Sequence, residues 1–182
     1  KAKILLKNDN NCVEGVKVVS KDFGELELKA PIGVDASGRD CFAAHKQKWM
    51  VRDPELNKIA LWTYYKNAKR DPGLDEGATT VAYLPDKGWF WYIPLSGDMV
   101  SVGIVAEKDY LFDGSTKDHA EIFQREVQNN EWIKEHLAEG EQTGKYRTTG
   151  EYSYRNKFCS SDGLVLAGDA LGFLDPVFSS GV

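Results

Sequence analysis

Leu164-Val165-Leu166-Ala167-Gly168-Asp169-Ala170-Leu171-Gly172-Phe173-Leu174-Asp175-Pro176 is the stretch on which the reading of this chain turns. Its continuous apolar opening suits a short strand of a parallel sheet covered on both faces. Gly168 permits close approach of the backbone, and the small Ala170 and Gly172 leave room for a flat or polyhydroxylated ligand. Asp169 stands where the strand gives way to open space, a place from which a carboxylate accepts hydrogen bonds from sugar hydroxyls. Asp175 before Pro176 suits a helix start, with the aspartate near the cap and the proline in the first turn. Backbone N–H groups exposed there favour a negative or electron-rich group.

Working outward, short apolar runs over residues 4 to 30 are divided by Asn8-Asp9-Asn10-Asn11 and Lys21-Asp22-Phe23-Gly24. They read as a meander with strands over Val13 to Val19 and Leu26 to Leu28. Ile32-Gly33-Val34 reads as a buried strand leading into the loop Asp35-Ala36-Ser37-Gly38-Arg39. From Gln47 to Ala106 the chain is β in character. Lys58 to Tyr65 is dense in β-branched and aromatic residues, and Ala78 to Leu84 follows a turn-rich linker. Trp89 to Leu95 and Met99 to Ala106 flank the hairpin loop Ser96-Gly97-Asp98. Four or five strands in one stretch imply a sizeable antiparallel sheet. A helix capped by Ser115 or Thr116 comes next, with Ile122, Phe123, Val127, Trp132, Ile133 and Leu137 at helical spacing. Asn129-Asn130 divides it in two, and Arg147 to Tyr154 returns as a strand.

Composition excludes several classes. The 182 residues are 42% hydrophobic and 28% charged, with a net charge of -5. That is a soluble globular balance without the electrostatic footprint of a nucleic-acid binder. Lys66, Lys69 and Arg70, the densest basic group, read as a solvated loop. Cys12, Cys41 and Cys159 form no CxxC pair, and His45, His119 and His136 show no metal-ligand spacing, so neither a disulfide scaffold nor a metal site is expected. No apolar run approaches the roughly 18 residues of a membrane span, and no signal peptide is visible. The expected setting is the cytoplasm. The chain opens without an initiator Met and stops just after a helix start, and it reads as an internal piece of a longer protein.

Three motifs give this pattern a family. The strand followed by Gly168-Asp169-Ala170 and then Asp175-Pro176 resembles the second FAD signature of the flavoprotein monooxygenase and halogenase superfamily. The resemblance makes Asp169 a ligand of the FAD ribityl or ribose hydroxyls, with Gly168, Ala170, Asp175 and Pro176 lining the flavin. Val34-Asp35-Ala36-Ser37-Gly38-Arg39 resembles the strand end that precedes the crossing into the substrate domain, which places Asp35 and Gly38 near the dinucleotide. Gly88-Trp89-Phe90-Trp91-Tyr92-Ile93-Pro94 contains Trp89-x-Trp91-x-Ile93-Pro94, which looks like the WxWxIP motif of flavin-dependent halogenases. Period two sets Trp89, Trp91 and Ile93 on one strand face, where they would also fill a core between sheet and helices. In halogenases the motif lies beside the flavin and discourages direct oxygen transfer to substrate, so Trp89, Trp91 and Pro94 are the catalytic candidates.

The resemblance also implies halide binding by the backbone amides of Ser180 and Gly181, two adjacent N–H groups at a turn. Phe178 stands where tryptophan-specific halogenases carry Glu, which by the resemblance points to a phenol- or pyrrole-like substrate, free or tethered to a carrier protein. A separate flavin reductase would supply reduced FAD. The GxGxxG loop and the active-site lysine of the family would lie upstream of Lys1.

The expected fold class is α+β: a large antiparallel or mixed substrate-domain sheet with helices, plus part of a Rossmann-like FAD-binding α/β domain. Residues 1–44 and 156–182 fall to the FAD-binding part and 45–155 to the substrate sheet. Two other functions fit the same residues. One is a geranylgeranyl-reductase-like enzyme or aromatic-ring monooxygenase on this scaffold; the other is a non-enzymatic ligand-binding module.

Overall fold

The computed structural model describes residues 1–52, 57–150 and 153–178. In chain order its elements are β1 (Ala2–Lys7), β2 (Val13–Ser20), β3 (Gly24–Lys29), β4 (Gly33–Asp35), α1 (Phe42–Gln47), β5 (Met50–Arg52), β6 (Lys58–Lys66), β7 (Thr80–Leu84) and β8 (Gly88–Pro94). They continue as β9 (Met99–Glu107), α2 (Lys108–Leu111), α3 (His119–Gln128), α4 (Glu131–Leu137), β10 (Glu141–Gly150), β11 (Tyr154–Asn156), β12 (Ser160–Ser161), β13 (Leu164–Leu166) and β14 (Gly172–Phe173). The class is α+β. Two compact units share the chain: unit 1 is Lys1–Pro54 with Tyr152–Val182, and unit 2 is Glu55–Glu151. Residues 45–52 and 154–155, placed with the substrate sheet on sequence, lie in unit 1, where β5 and β11 pair with each other.

Unit 2 is built on an antiparallel sheet in the order β10-β6-β9-β8-β7. Its register sets Leu61, Ile104, Phe90 and Ala82 side by side across four strands, and Thr63, Val102, Tyr92 and Thr80 in the next row. These rows face the apolar sides of α3 and α4, and Leu61, Phe90, Ile104, Ile122, Phe123 and Ile133 are fully buried in one cluster. Phe90 meets Phe123 edge-on at 6.1 Å between ring centroids. Trp89, Trp91 and Ile93 alternate with Phe90 and Tyr92 and therefore lie on the opposite sheet face. The expectation that the tryptophans fill the sheet-to-helix core is corrected: Phe90 and Tyr92 fill it.

Asp118 caps α3, its side chain accepting a hydrogen bond from Ala120 N at 2.7 Å, and Asn130 caps α4 in the same way through Ile133 N at 3.0 Å. Ser115 and Thr116, the expected caps, are used one turn earlier. Asp113 Oδ1 accepts from Ser115 N, and Thr116 Oγ1 accepts from Asp118 N. The strand expected over Arg147 to Tyr154 is two strands. β10 starts at Glu141 and shifts register against β6 between Thr143 and Arg147, which breaks its alternation. β11 pairs with β5 and β14 instead.

The described residues of unit 1 form three small sheets: the meander β1-β2-β3, then β12-β13-β4 and β14-β11-β5. Strands β4 and β13 run parallel, with Gly33, Val34 and Asp35 opposite Leu164, Val165 and Leu166. The core is small, with Val13, Cys41, Ala43, Ala44, Tyr154, Leu164 and Leu166 buried. Strand β13 is parallel as expected but is not covered on both faces by the described residues. Leu164 and Leu166 point inward, while Val165 and its neighbour Val34 are 41% and 66% exposed. No helix among the described residues is long and apolar enough to cross a membrane.

Candidate cofactor site

The parallel pairing of β4 and β13 brings together two motifs that lie about 130 residues apart in sequence. Both strands end at the same level, since Asp35 is opposite Leu166 and Ala167 N donates to Asp35 O at 2.9 Å. The Asp35–Arg39 loop and the Gly168–Ala170 turn therefore leave from adjacent carboxyl ends, where open α/β sheets take their ligands.

Each loop is held by its own hydrogen bonds. Asp35 is buried, and its two carboxylate oxygens accept from Ser37 N at 3.0 Å and Ala43 N at 2.7 Å. This one side chain folds the loop and caps α1, with Ser37 Oγ accepting from Phe42 N at 2.9 Å. Cys41 closes the loop in the left-handed region, φ 44°, a conformation that costs a non-glycine residue energy and persists where its surroundings impose it. Its buried thiol reaches Gly38 O at 3.6 Å and Asp169 O at 3.5 Å, so it spans the two loops. Burial pushes the Cys41 thiol up from its ordinary pKa, so it stays protonated as a donor.

In the second loop, Gly168 and Ala170 bound a single 3₁₀ turn and Leu171 N donates to Gly168 O. Gly168 sits at φ +58° and Gly38 at φ +63°, and, chain neighbours aside, nothing among the described residues lies within 4 Å of where a Cβ would stand on either. Both glycines thus keep their loop conformation and leave space above the backbone. Asp169 is exposed on the same turn, while Ala170 is buried. Further on, Asp175 Oδ1 accepts from Val177 N at 3.1 Å, and Pro176 opens a 3₁₀ turn. Ser180 and Gly181 lie outside the described residues, as does the side chain of Phe178.

Three side chains that sequence reasoning did not single out hold this turn from below. Tyr154 Oη donates to Asp169 O at 2.7 Å, and Asn156 Nδ2 donates to Ala170 O at 2.9 Å and Leu171 O at 2.6 Å. Cys41 is the third. They lie 14 to 128 residues from the carbonyls of the turn that they hold, so no local pattern announces them. An apolar cavity of about 270 Å³ lies in the same unit, lined by Leu5, Val16, Leu28, Val34 and Phe42 and bordered by Asp35.

In unit 2, Trp89, Trp91 and Ile93 lie on the sheet face opposite the one that packs on α3 and α4. Trp62, Gly103 and Trp91 stand in one row across β6, β9 and β8. The two indoles converge over Gly103, with ring centroids 6.2 Å apart. A Cβ on Gly103 would meet the Trp91 ring at 2.3 Å, so only glycine allows the pair. Trp91 Nε1 donates to Ser101 Oγ at 3.1 Å, and Trp89 packs against Trp91 at 6.1 Å. Pro94, at the end of β8, is opposite Val100.

Two turns at the adjacent carboxyl ends of parallel strands stand where open α/β sheets take their ligands. The chain belongs to the tryptophan halogenase family, whose model matches residues 3–182. It is 31% identical over 175 residues to the 1H-pyrrole-2-carbonyl-(peptidyl-carrier protein) chlorinase of Pseudomonas fluorescens, covering 92% of this chain and 39% of that protein. It is 32% identical over 183 residues to the corresponding brominase of Pseudoalteromonas luteoviolacea, covering 99% and 44%. Among solved structures it is similar to the myxobacterial chondrochloren halogenase, an FAD-dependent halogenase, with a TM-score of 0.86 and 32% identity over all of this chain and 42% of that one. The chain thus spans less than half the length of the relatives it matches.

Proposed function

We propose that this chain supplies the distal FAD contact and the substrate sheet of a flavin-dependent halogenase. The observation that carries the reading is the parallel pairing of β4 and β13, which sets the open glycine turns at Gly38 and Gly168 side by side with the Asp169 carboxylate exposed. These residues fit FAD. Asp169 would accept from its ribityl or ribose hydroxyls, and Gly168, Ala170, Asp175 and Pro176 would line the ring system. Asp35 and Gly38 would act through the loop they shape, Asp35 having both oxygens engaged within it. When bound, FAD would supply the redox chemistry by which oxygen oxidises halide. The chain's own share is to orient the cofactor, hold the halide at the Ser180 and Gly181 amides, and present an aromatic face to substrate. Trp89, Trp91 and Pro94 keep the role that their resemblance to WxWxIP gives them, discouraging direct oxygen transfer.

The substrate we propose is a pyrrole- or phenol-like ring, free or tethered to a carrier protein; two relatives named for a pyrrole carbonyl on a peptidyl-carrier protein support this. A separate flavin reductase, and a cytoplasmic setting in keeping with the free thiols of Cys12, Cys41 and Cys159, complete the proposal. The test is halide dependence in the intact protein together with Asp169→Asn. Turnover should require chloride or bromide, and the variant should bind FAD about 10-fold or more weakly, since it loses charge-assisted hydrogen bonds. Substrate hydroxylation without halide would replace the halogenase with a monooxygenase. Unchanged FAD binding in the variant would remove Asp169 from the site. The 182-residue chain alone should bind FAD only weakly, because it carries no GxGxxG loop.

A further inference from the structure

The underside of the Gly168–Leu171 turn is hydrogen-bonded in an unusual way. Three consecutive carbonyl oxygens, those of Asp169, Ala170 and Leu171, all accept from side chains of the three-residue strand β11. Tyr154 and Asn156 share one face of that strand by its period of two, while Arg155 between them is exposed. Tyr154 is buried, stacks on Phe173 at 6.4 Å, and is locked from both sides as β11 pairs with β5 and β14. Burial also pushes the Tyr154 hydroxyl well above the ordinary tyrosine range, so it remains a donor at any physiological pH.

Asn156 commits its Nδ2 to two carbonyls while its Oδ1 is buried without a partner among the described residues. A leucine would fill the space without that unsatisfied atom, so the amide is matched to the carbonyls rather than to packing alone. Holding the carbonyls inward fixes the peptide planes of the turn. The direction of the Cα–Cβ bond at Asp169, which leaves the same backbone toward solvent, is fixed with them.

From this geometry we infer that Tyr154 and Asn156 are positioning residues of the cofactor site, pre-setting the Asp169 carboxylate through the backbone of its own turn. They touch no cofactor atom themselves. Pre-organisation of this kind strengthens binding by removing the ordering cost that a loose turn would pay at the moment of association. The inference rests on the assignment of Asp169 as an FAD ligand, and its test separates the two.

Tyr154→Phe, Asp169→Asn and the double variant are compared in the intact protein by quenching of flavin fluorescence. Hydrogen exchange of the 167–173 segment is followed in the cofactor-free chain. Tyr154→Phe should weaken FAD binding roughly 3- to 10-fold, the scale of one lost hydrogen bond, and should add nothing in the Asp169→Asn background. Exchange of the 167–173 amides should quicken while that of β6, β8 and β9 is unchanged. If Tyr154→Phe fails to fold, Asn156→Leu takes its place with the same expectation. Losses that multiply in the double variant, or wild-type FAD affinity in Tyr154→Phe, would overturn the positioning role while leaving Asp169 as a ligand. If Asp169→Asn alone binds FAD normally, the site assignment falls and this inference falls with it.

Discussion

Unit 2 and unit 1 are held together by different physics. In unit 2, large apolar side chains from β6, β8, β9, α3 and α4 meet in one cluster, and β6, β9 and β8 pair in continuous register. Unit 1 buries mostly small residues, keeps Ile4, Phe23, Leu28, Ile32 and Val34 exposed, and fixes its key loops with side chain to backbone hydrogen bonds from Asp35, Tyr154 and Asn156. Packing is tolerant of ligand chemistry but sensitive to volume; hydrogen bonds to a loop are the reverse. Substitutions in unit 2 should therefore register as lost stability, and those around the two turns of unit 1 as altered binding.

The strongest way to break this division is Phe123→Ala. Phe123 is fully buried and touches both Phe90 and Tyr146. Its truncation should cost about 3–5 kcal/mol. Urea unfolding followed by tryptophan fluorescence reads it well, because Trp62, Trp89, Trp91 and Trp132 all lie in unit 2. A loss under about 1 kcal/mol would mean that the cluster can collapse around the gap, and that unit 2 is not tightly packed.

Alkaline pH probes the same body more gently. Burial pushes Tyr65 and Tyr92 up to about 12, against about 10 in an unfolded chain. A raised pKa means that the folded state holds the proton more tightly. The associated stability is complete below about pH 10 and is lost as pH rises through about 12. After allowance for solvent screening this amounts to about 1–2 kcal/mol for each group. Tyrosinate absorbance near 295 nm should therefore rise late and together with unfolding, and Tyr92→Phe should lessen the alkaline loss. Early ionisation, with fluorescence unchanged, would show these phenols to be more accessible than their burial indicates.

What the sequence disclosed follows the same division. Strands β6 to β9 were legible because dense β-branched and aromatic runs and the Ser96-Gly97-Asp98 loop are local signals. The period of two correctly separated Trp89 and Trp91 from Phe90 and Tyr92. It does not say which face receives the helices, and that was decided by Ile122, Phe123 and Ile133 from a distant segment. The Asp35–Arg39 and Gly168–Asp175 motifs were visible as residue patterns, yet only the β4–β13 pairing makes them neighbours. Short elements such as α1, α2 and β5 have too few residues to show a period. The Tyr154 and Asn156 contacts are long-range hydrogen bonds that no local pattern encodes.

The smallest expected effect sharpens the comparison by contrasting two helix caps. Helix α3 is capped by the residue that precedes it, Asp118, whereas the Ala43 amide at the start of α1 is met by Asp35 from across the loop. Removing a local cap affects its helix alone. Asp118→Ala should cost about 1 kcal/mol, seen as a lower urea midpoint, and should leave FAD affinity of the intact protein unchanged. The Asp35 carboxylate instead joins a helix start to the loop beside the Gly168 turn, so the same chemistry in unit 1 is tied to the site. A change in FAD binding on loss of Asp118 would show that unit 2 helix packing governs the cofactor site, and that the two units do not divide stability and binding between them.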